Sequence, residues 1–397
     1  MFFLKKIGCR LFQLAFRLAL PLLPYREPRL LPSCRELPEV LAGQRAVLIV
    51  TSPGSERHGL LAPVREALAA GGIAYTVYDR VQPNPTVDNV EEALLMYREG
   101  GCSALVALGG GSAIDCAKGV GARVAYPRRP LGRLAGVMRV LRRLPPLVAI
   151  PTTAGTGSEA TLAAVITDAA ARHKYALMSF PLIPHYAVLD PALTVTLPPA
   201  LTATTGMDAL THAVEAYIGR ATTQRTRRLA LDAVALIFGN IERAFRDGED
   251  REAREAMLLA SYRAGIAFSV SYVGYVHALA HALGGEYGTP HGLANAVLLP
   301  HVLEGYGRSA HRRLHRLAVA AGVATEDDSP EVGAGKFIEA YRALSARLAI
   351  PTALPELREE DIPSLASHAE REANPLYPVP RLMTAGELAR FYKKIIL

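Results

Sequence analysis

At 397 residues the chain is longer than one ordinary hydrophobic core can serve, so two domains are expected. Half the residues are apolar and a fifth are charged, which excludes a disordered chain. The 44 basic and 37 acidic residues leave a net charge of +7, and neither basic run is interleaved with aromatics in a nucleic-acid pattern, so no nucleic-acid partner is expected.

The chain begins with an apolar and basic segment. Phe2, Phe3, Leu11, Phe12, Phe16 and Leu18 are mixed with Lys5, Lys6, Arg10 and Arg17. The two arginines interrupt what a signal peptide needs uninterrupted, and no small-residue cleavage site follows. The segment is also too short and too charged to span a bilayer. Residues 1–35 therefore read as a basic amphipathic extension. It is expected to pack on its own protein or a partner subunit, or to rest on a membrane surface through residues 1–24. Cys9, Cys34, Cys102 and Cys116 form no CxxC pair and read as reduced thiols of a cytoplasmic protein.

From residue 36 strands and helices alternate. Short apolar runs at 46–50, 73–78, 104–108 and 147–150 read as buried parallel strands, and 60–69, 87–98 and 113–121 as helices between them. Such alternation implies a parallel sheet covered on both faces. After Pro198-Pro199 the pattern changes to long helices, at 204–217, 226–245, 252–267, 276–283 and 292–306. The expected organisation is an α/β domain over 36–197 followed by an all-helical domain over 198–397.

Two turns in the first domain have the composition of a phosphate site. The strand at 104–108 runs into Gly109-Gly110-Gly111-Ser112 and then into a helix, whose free N–H groups and dipole favour an anion. Ser112 and Asp115 also fit a capping box. The strand at 147–150 runs into PTTAGTGSE, which places hydroxyls and glycines at the carboxyl edge of the sheet. Together they favour a dinucleotide.

The second domain concentrates metal-binding side chains. Asp208 and His212 are four residues apart, on one helix face, and His277 and His281 repeat that spacing. His291 follows in a Pro-His-Gly turn that should open the next helix. One carboxylate and three imidazoles suit Fe²⁺ or Zn²⁺ with a position left open, which leaves either His277 or His281 surplus.

The stretches ALGGGSAIDCAK, PTTAGTGSEAT, LPPALTATTGMDALTHAVEAY and HALAHALGGEYGTPHGLANAVLLPH resemble the iron-containing (group III) alcohol dehydrogenases. The resemblance covers most of residues 46–310. It implies a Rossmann-like nucleotide-binding domain and a helical metal-binding domain, a dehydroquinate-synthase-like architecture, with the active site between them. It implies Asp208, His212, His277 and His291 as metal ligands and His281 as a catalytic or substrate-orienting residue. Gly110, Gly111, Ser112, Thr152, Thr153, Asn84 and Lys174 would contact the cofactor, NAD or NADP. The substrate would be a small alcohol or aldehyde, and the assembly a homodimer or larger.

The chain departs from the family's pattern in three places. Ser52 stands where NAD-preferring members often carry an Asp, the C-terminal stretch Asn374-Pro375-Leu376-Tyr377-Pro378-Val379-Pro380 departs from the commoner ending, and the extension is additional. Alternatives are a glycerol-dehydrogenase-like polyol oxidoreductase and a membrane-peripheral nucleotide-binding protein without turnover. A dehydroquinate synthase is disfavoured by GMDALTH.

Overall fold

Uninterrupted runs of aliphatic residues can be satisfied only where both faces of a strand are covered, and such runs make the centre of the first unit. A computed structural model describes residues 2–169 and 173–397. Helix α1 (Phe2–Ala19) comes first, then β1 (Arg29–Leu31), α2 (Leu37–Val40) and β2 (Ala46–Val50). Helices α3 (Pro53–Arg57) and α4 (Ala62–Ala70) lead to β3 (Ala74–Tyr78), and α5 (Val87–Glu99) leads to β4 (Ala104–Gly109). Helix α6 (Gly111–Ala125) is followed by β5 (Gly136–Val137), β6 (Leu147–Pro151), β7 (Ala163–Asp168), β8 (His173–Met178) and β9 (Tyr186–Val188).

Six strands pair in parallel in the order β1-β9-β6-β4-β2-β3. Every residue of β2, β4 and β6 is buried, with separate apolar clusters on the two faces of the sheet. Chain order reverses at β2, which has β3 on one side and β4 on the other. The crevice beyond the carboxyl ends of β2 and β4 is therefore the place where a doubly wound sheet binds a ligand. The fold is a Rossmann-like α/β domain with a helical domain after it. A three-stranded sheet β5-β8-β7, with β7 and β8 antiparallel, adds to the α/β unit and was not expected from the sequence.

Every strand precedes residue 189. The remainder is helical: α7 (Pro199–Ile218), α8 (Gln224–Arg246), α9 (Arg251–Ser271), α10 (Tyr275–Glu286) and α11 (His291–Tyr306). Helices α12 (Arg308–Ala320), α13 (Pro330–Arg347), α14 (Ile362–Ala373) and α15 (Ala385–Tyr392) complete it. Among the described residues no single helix is long and apolar enough to cross a membrane.

The chain divides into two compact units, Pro24–Leu197 and Pro198–Leu397 joined by Met1–Leu23. The expected extension 1–35 is thus not one piece. Helix α1 packs on the helical unit, where Arg10 donates to the carbonyls of Val379 and Pro380 and Gln13 to those of Pro375 and Tyr377. Residues from Pro24 onward belong to the α/β unit, where Tyr25 donates to the Ala160 carbonyl.

Candidate functional site

The glycine turn joins β4 to α6 at the crevice. Gly109 has φ +149°, and a side chain there would meet the Ala113 Cβ at 2.8 Å. A Cβ on Gly111 would stand 2.9 Å from the Thr156 side chain, so the two turns approach each other only because that side chain is missing. The helix begins at Gly111 with Gly110 as its N-cap, two residues before the expected start. The capping box expected of Ser112 and Asp115 does not form, because both lie inside the helix. Ser112 Oγ instead accepts the Asn84 N–H at 3.2 Å, and Asp115 accepts from Ser158 Oγ at 2.6 Å and Val165 N–H at 2.9 Å. No side chain caps α6, which leaves its amino end available to an anion.

The other expected cofactor residues gather around this turn. Lys174 Nζ donates to Asn84 Oδ1 at 3.1 Å, tying both to Ser112. Asn84 has φ +57°, a left-handed conformation that asparagine tolerates better than most residues. Thr152 follows β6 with its N–H on the Gly109 carbonyl, and a Cβ on Gly110 would touch Thr153 Oγ1 at 3.3 Å. Ser52 lies at the end of β2, where Thr51 Oγ1 donates to the Leu108 carbonyl and so joins the ends of β2 and β4. Ser52 carries no charge and contacts Ser55 Oγ at 3.2 Å.

In the helical unit α7 carries Asp208 and His212 one turn apart, α10 carries His277, and His291 is the first residue of α11. One donor atom from each lies within 4.8 Å of every other. Asp208 stands 3.9 Å from His212 Nδ1, 3.9 Å from His277 Nε2 and 3.5 Å from His291 Nε2. Donors about 2.1 Å from one ion and adjacent in its shell would lie roughly 3–3.5 Å apart, so small side-chain movements close this set on one cation. His281 is outside the group, with its ring stacked on His291 at 5.1 Å.

Electrostatics and hydrogen bonding agree with a cation site. Burial, together with the imidazoles of His212, His291 and His281, holds His277 well below the ordinary histidine value. Its ring is therefore neutral. The Nδ1–H is donated to Glu215 Oε2 at 2.7 Å, so the lone pair sits on Nε2. Nε2 is buried without a hydrogen-bond partner, which is costly unless something else accepts its lone pair. Glu215 also accepts N–H groups from Gly274 and Val276 at 2.7 and 2.8 Å. Burial pushes its carboxyl up to about 7, against these donors. Asn295 Nδ2 donates to Asp208 Oδ1 at 2.7 Å and approaches His291 Nε2 at 3.1 Å, fixing both.

His281 presents 41% of its side chain to solvent. Its Nδ1 contacts Glu372 Oε1 at 2.6 Å, and the Tyr377 hydroxyl donates to the same oxygen at 2.7 Å. Burial alone would lower the His281 pKa, but the Glu372, Asp208 and Glu215 carboxylates together outweigh it and the net shift is upward.

Comparison with known proteins bears on both units. The description "Iron-containing alcohol dehydrogenase" matches residues 32–191, and "Fe-containing alcohol dehydrogenase family, C-terminal" matches residues 202–396. The chain belongs to the iron-containing alcohol dehydrogenase family. Alcohol dehydrogenase 4 of Saccharomyces cerevisiae (strain YJM789) is 42% identical to this member over 83% of this chain and 85% of its own. The 1,3-propanediol dehydrogenase of Klebsiella pneumoniae is 39% identical over 90% and 92%. A crystal structure of a 1,3-propanediol oxidoreductase superposes with a TM-score of 0.90 at 37% identity, covering 94% of this chain and 99% of that one. This iron-containing dehydrogenase is thus a metal-dependent, nicotinamide-linked alcohol dehydrogenase or aldehyde reductase. A divalent ion fits the four donors, on the evidence of the orphaned His277 Nε2 and the donor spacing.

Sequence reasoning missed Glu215, Asn295, Glu372 and Tyr377. A signal existed for the first two. Glu215 is one turn beyond His212, and Asn295 one turn beyond His291, so each shares a face with a candidate ligand. Glu372 is 91 residues from His281 and no local pattern joins them.

Proposed function

We propose that Asp208, His212, His277 and His291 hold a divalent ion, Fe²⁺ or Zn²⁺, and that the enzyme interconverts a small primary alcohol and its aldehyde. The convergence of the four donors within 4.8 Å carries this reading. A bound ion would act as a Lewis acid on the substrate oxygen, and the nicotinamide would carry the hydride. The donor set leaves room for that oxygen, since four protein ligands do not fill a five- or six-coordinate shell. Glu215 keeps His277 in the tautomer that offers Nε2. His281 orients the substrate or passes a proton, held by Glu372 at Nδ1.

For the cofactor, the pyrophosphate would lie on Gly110, Gly111 and Ser112 at the amino end of α6, with Thr152, Thr153, Asn84 and Lys174 around it. The uncharged Ser52 offers no repulsion to a 2′-phosphate, so NAD and NADP both serve. The buried free thiols of all four cysteines agree with a reducing, cytoplasmic setting.

A second reading, a polyol substrate, is favoured by the polar pair Glu372 and Tyr377 beside His281, which could hydrogen-bond a second hydroxyl. The test is turnover of iron- or zinc-loaded enzyme, prepared anaerobically, with NADH and NADPH against short aldehydes and hydroxyaldehydes. Reduction that is abolished by chelation and restored by metal is the expected result. Turnover of an aldehyde by metal-free enzyme would contradict it.

A further inference from the structure

Helix α1 is apolar on two faces, and only one of them is used. Cys9, Gln13, Phe16 and Leu20 turn inward, with Phe16 edge-on to Tyr272 at 5.1 Å. The outward side carries Ile7, Leu11, Leu14 and Leu18 at i, i+4, i+7 and i+11, and Leu22 continues it in the following turn. These side chains are 43, 61, 51, 70 and 85% exposed, and Phe12 beside them is 45% exposed. A stripe of this kind, about 17 Å long from Ile7 to Leu18, is unusual on a surface that meets only water.

The chemistry beside the stripe identifies its partner. Residues 1–23 contain no Asp or Glu, while Lys6 and Arg17 lie along the helix and Arg10 is held inward by the Val379 and Pro380 carbonyls. Burial depresses the Arg313 guanidinium on α12, and Arg227, Arg17 and Arg220 depress it further, so these cations stand within electrostatic reach of one another. Helix α12 itself exposes Arg308, Arg312 and Arg316 at i, i+4 and i+8 and has no acidic residue. The family match begins at residue 32, so α1 is an addition to it. A second copy of the chain docked stripe to stripe would bring like charges together, which opposes association.

We propose that the outward face of α1 is a docking surface for an anionic lipid bilayer, with the leucines seated in the acyl boundary and Lys6 and Arg17 at the headgroups. The enzyme would then act at a membrane surface without spanning it. Deleting α1 is a poor test, because Gln13 holds the carbonyls of Pro375 and Tyr377, and Tyr377 reaches Glu372. Substituting only the outward leucines leaves those bonds in place.

The experiment is flotation of the metal-loaded full chain with phosphatidylglycerol-rich vesicles and with phosphatidylcholine vesicles, for the native protein and for the triple variant Leu11→Glu, Leu14→Glu, Leu18→Glu. Native protein is expected to float with the anionic vesicles and to bind the neutral ones, or either at high salt, at least about tenfold less. The variant should lose binding by about tenfold or more while keeping native turnover and melting temperature. Native protein that stays in solution, or a variant that floats equally well, overturns the proposal. So does a native dimer that the variant converts to monomers without any vesicle binding, since a second copy would then own the face.

Discussion

Glu215 decides how His277 is presented. Its two oxygens take the Nδ1–H and the amides at the start of α10, and an amide in its place would turn an NH₂ group toward N–H donors. Glu215→Gln is therefore expected to weaken metal binding by about 10–100-fold while the helical unit stays folded. Competition with a chelator measures this, and unchanged affinity would remove Glu215 from the site. At the cofactor end, Ser52→Asp should lower NADPH use far more than NADH use, because a carboxylate at the end of β2 repels a 2′-phosphate. A kcat/KM ratio that does not move would place the adenosine ribose elsewhere. Spacing alone singles out Asp208, His212, His277 and His291, but it also brings in His281. The family resemblance puts that ring outside the ligand set, and the donor group in three dimensions does not include it. Glu372 and Tyr377 were not legible, since their approach to His281 depends on how α14 and the segment after it fold back.

The elements differ in how openly the sequence announces them. Strands β2, β4 and β6 are buried on both faces, so unbroken aliphatic runs reveal them. Strands β1, β5 and β9 have three residues or fewer, too short for any periodicity. The antiparallel pair β7 and β8 carries mixed polarity because part of it faces solvent. Short elements depend on specific bonds, and β9 shows one. The His185 N–H donates to the Leu147 carbonyl, and His185 Nδ1 accepts the Leu147 N–H at 3.2 Å, which joins the start of β9 to β6. Burial, with Arg26 and Arg143 nearby, pulls His185 from 6.5 down to about 4. Between those values the unfolded chain holds a proton that the folded one refuses, so this group lowers stability as pH falls from about 6.5 toward 4. His185→Asn keeps an acceptor without the titration. Its melting temperature should fall less than that of the native protein between neutral pH and pH 5, and an equal fall would assign the acid sensitivity to other groups.

For the whole molecule, the change from alternating strands and helices to helices alone was readable at Pro198-Pro199, and the two compact units divide there. The placement of α1 was not readable, because an amphipathic basic helix has the same pattern whether it packs on protein or on lipid. The structure puts its Gln13 face on the helical unit and leaves its leucines outside. The functional reading assigns separate tasks to the two units: nucleotide binding to the turns of the sheet, and metal binding to α7, α10 and the start of α11. Removing one ligand should therefore disable the second task and spare the first. The decisive measurement is metal content, NADH affinity and aldehyde reduction on native protein and Asp208→Ala purified anaerobically side by side. Native protein should carry close to one divalent ion per chain, and Asp208→Ala should have lost the ion and the turnover while binding NADH as before. Full turnover by Asp208→Ala with no ion bound would contradict the assignment.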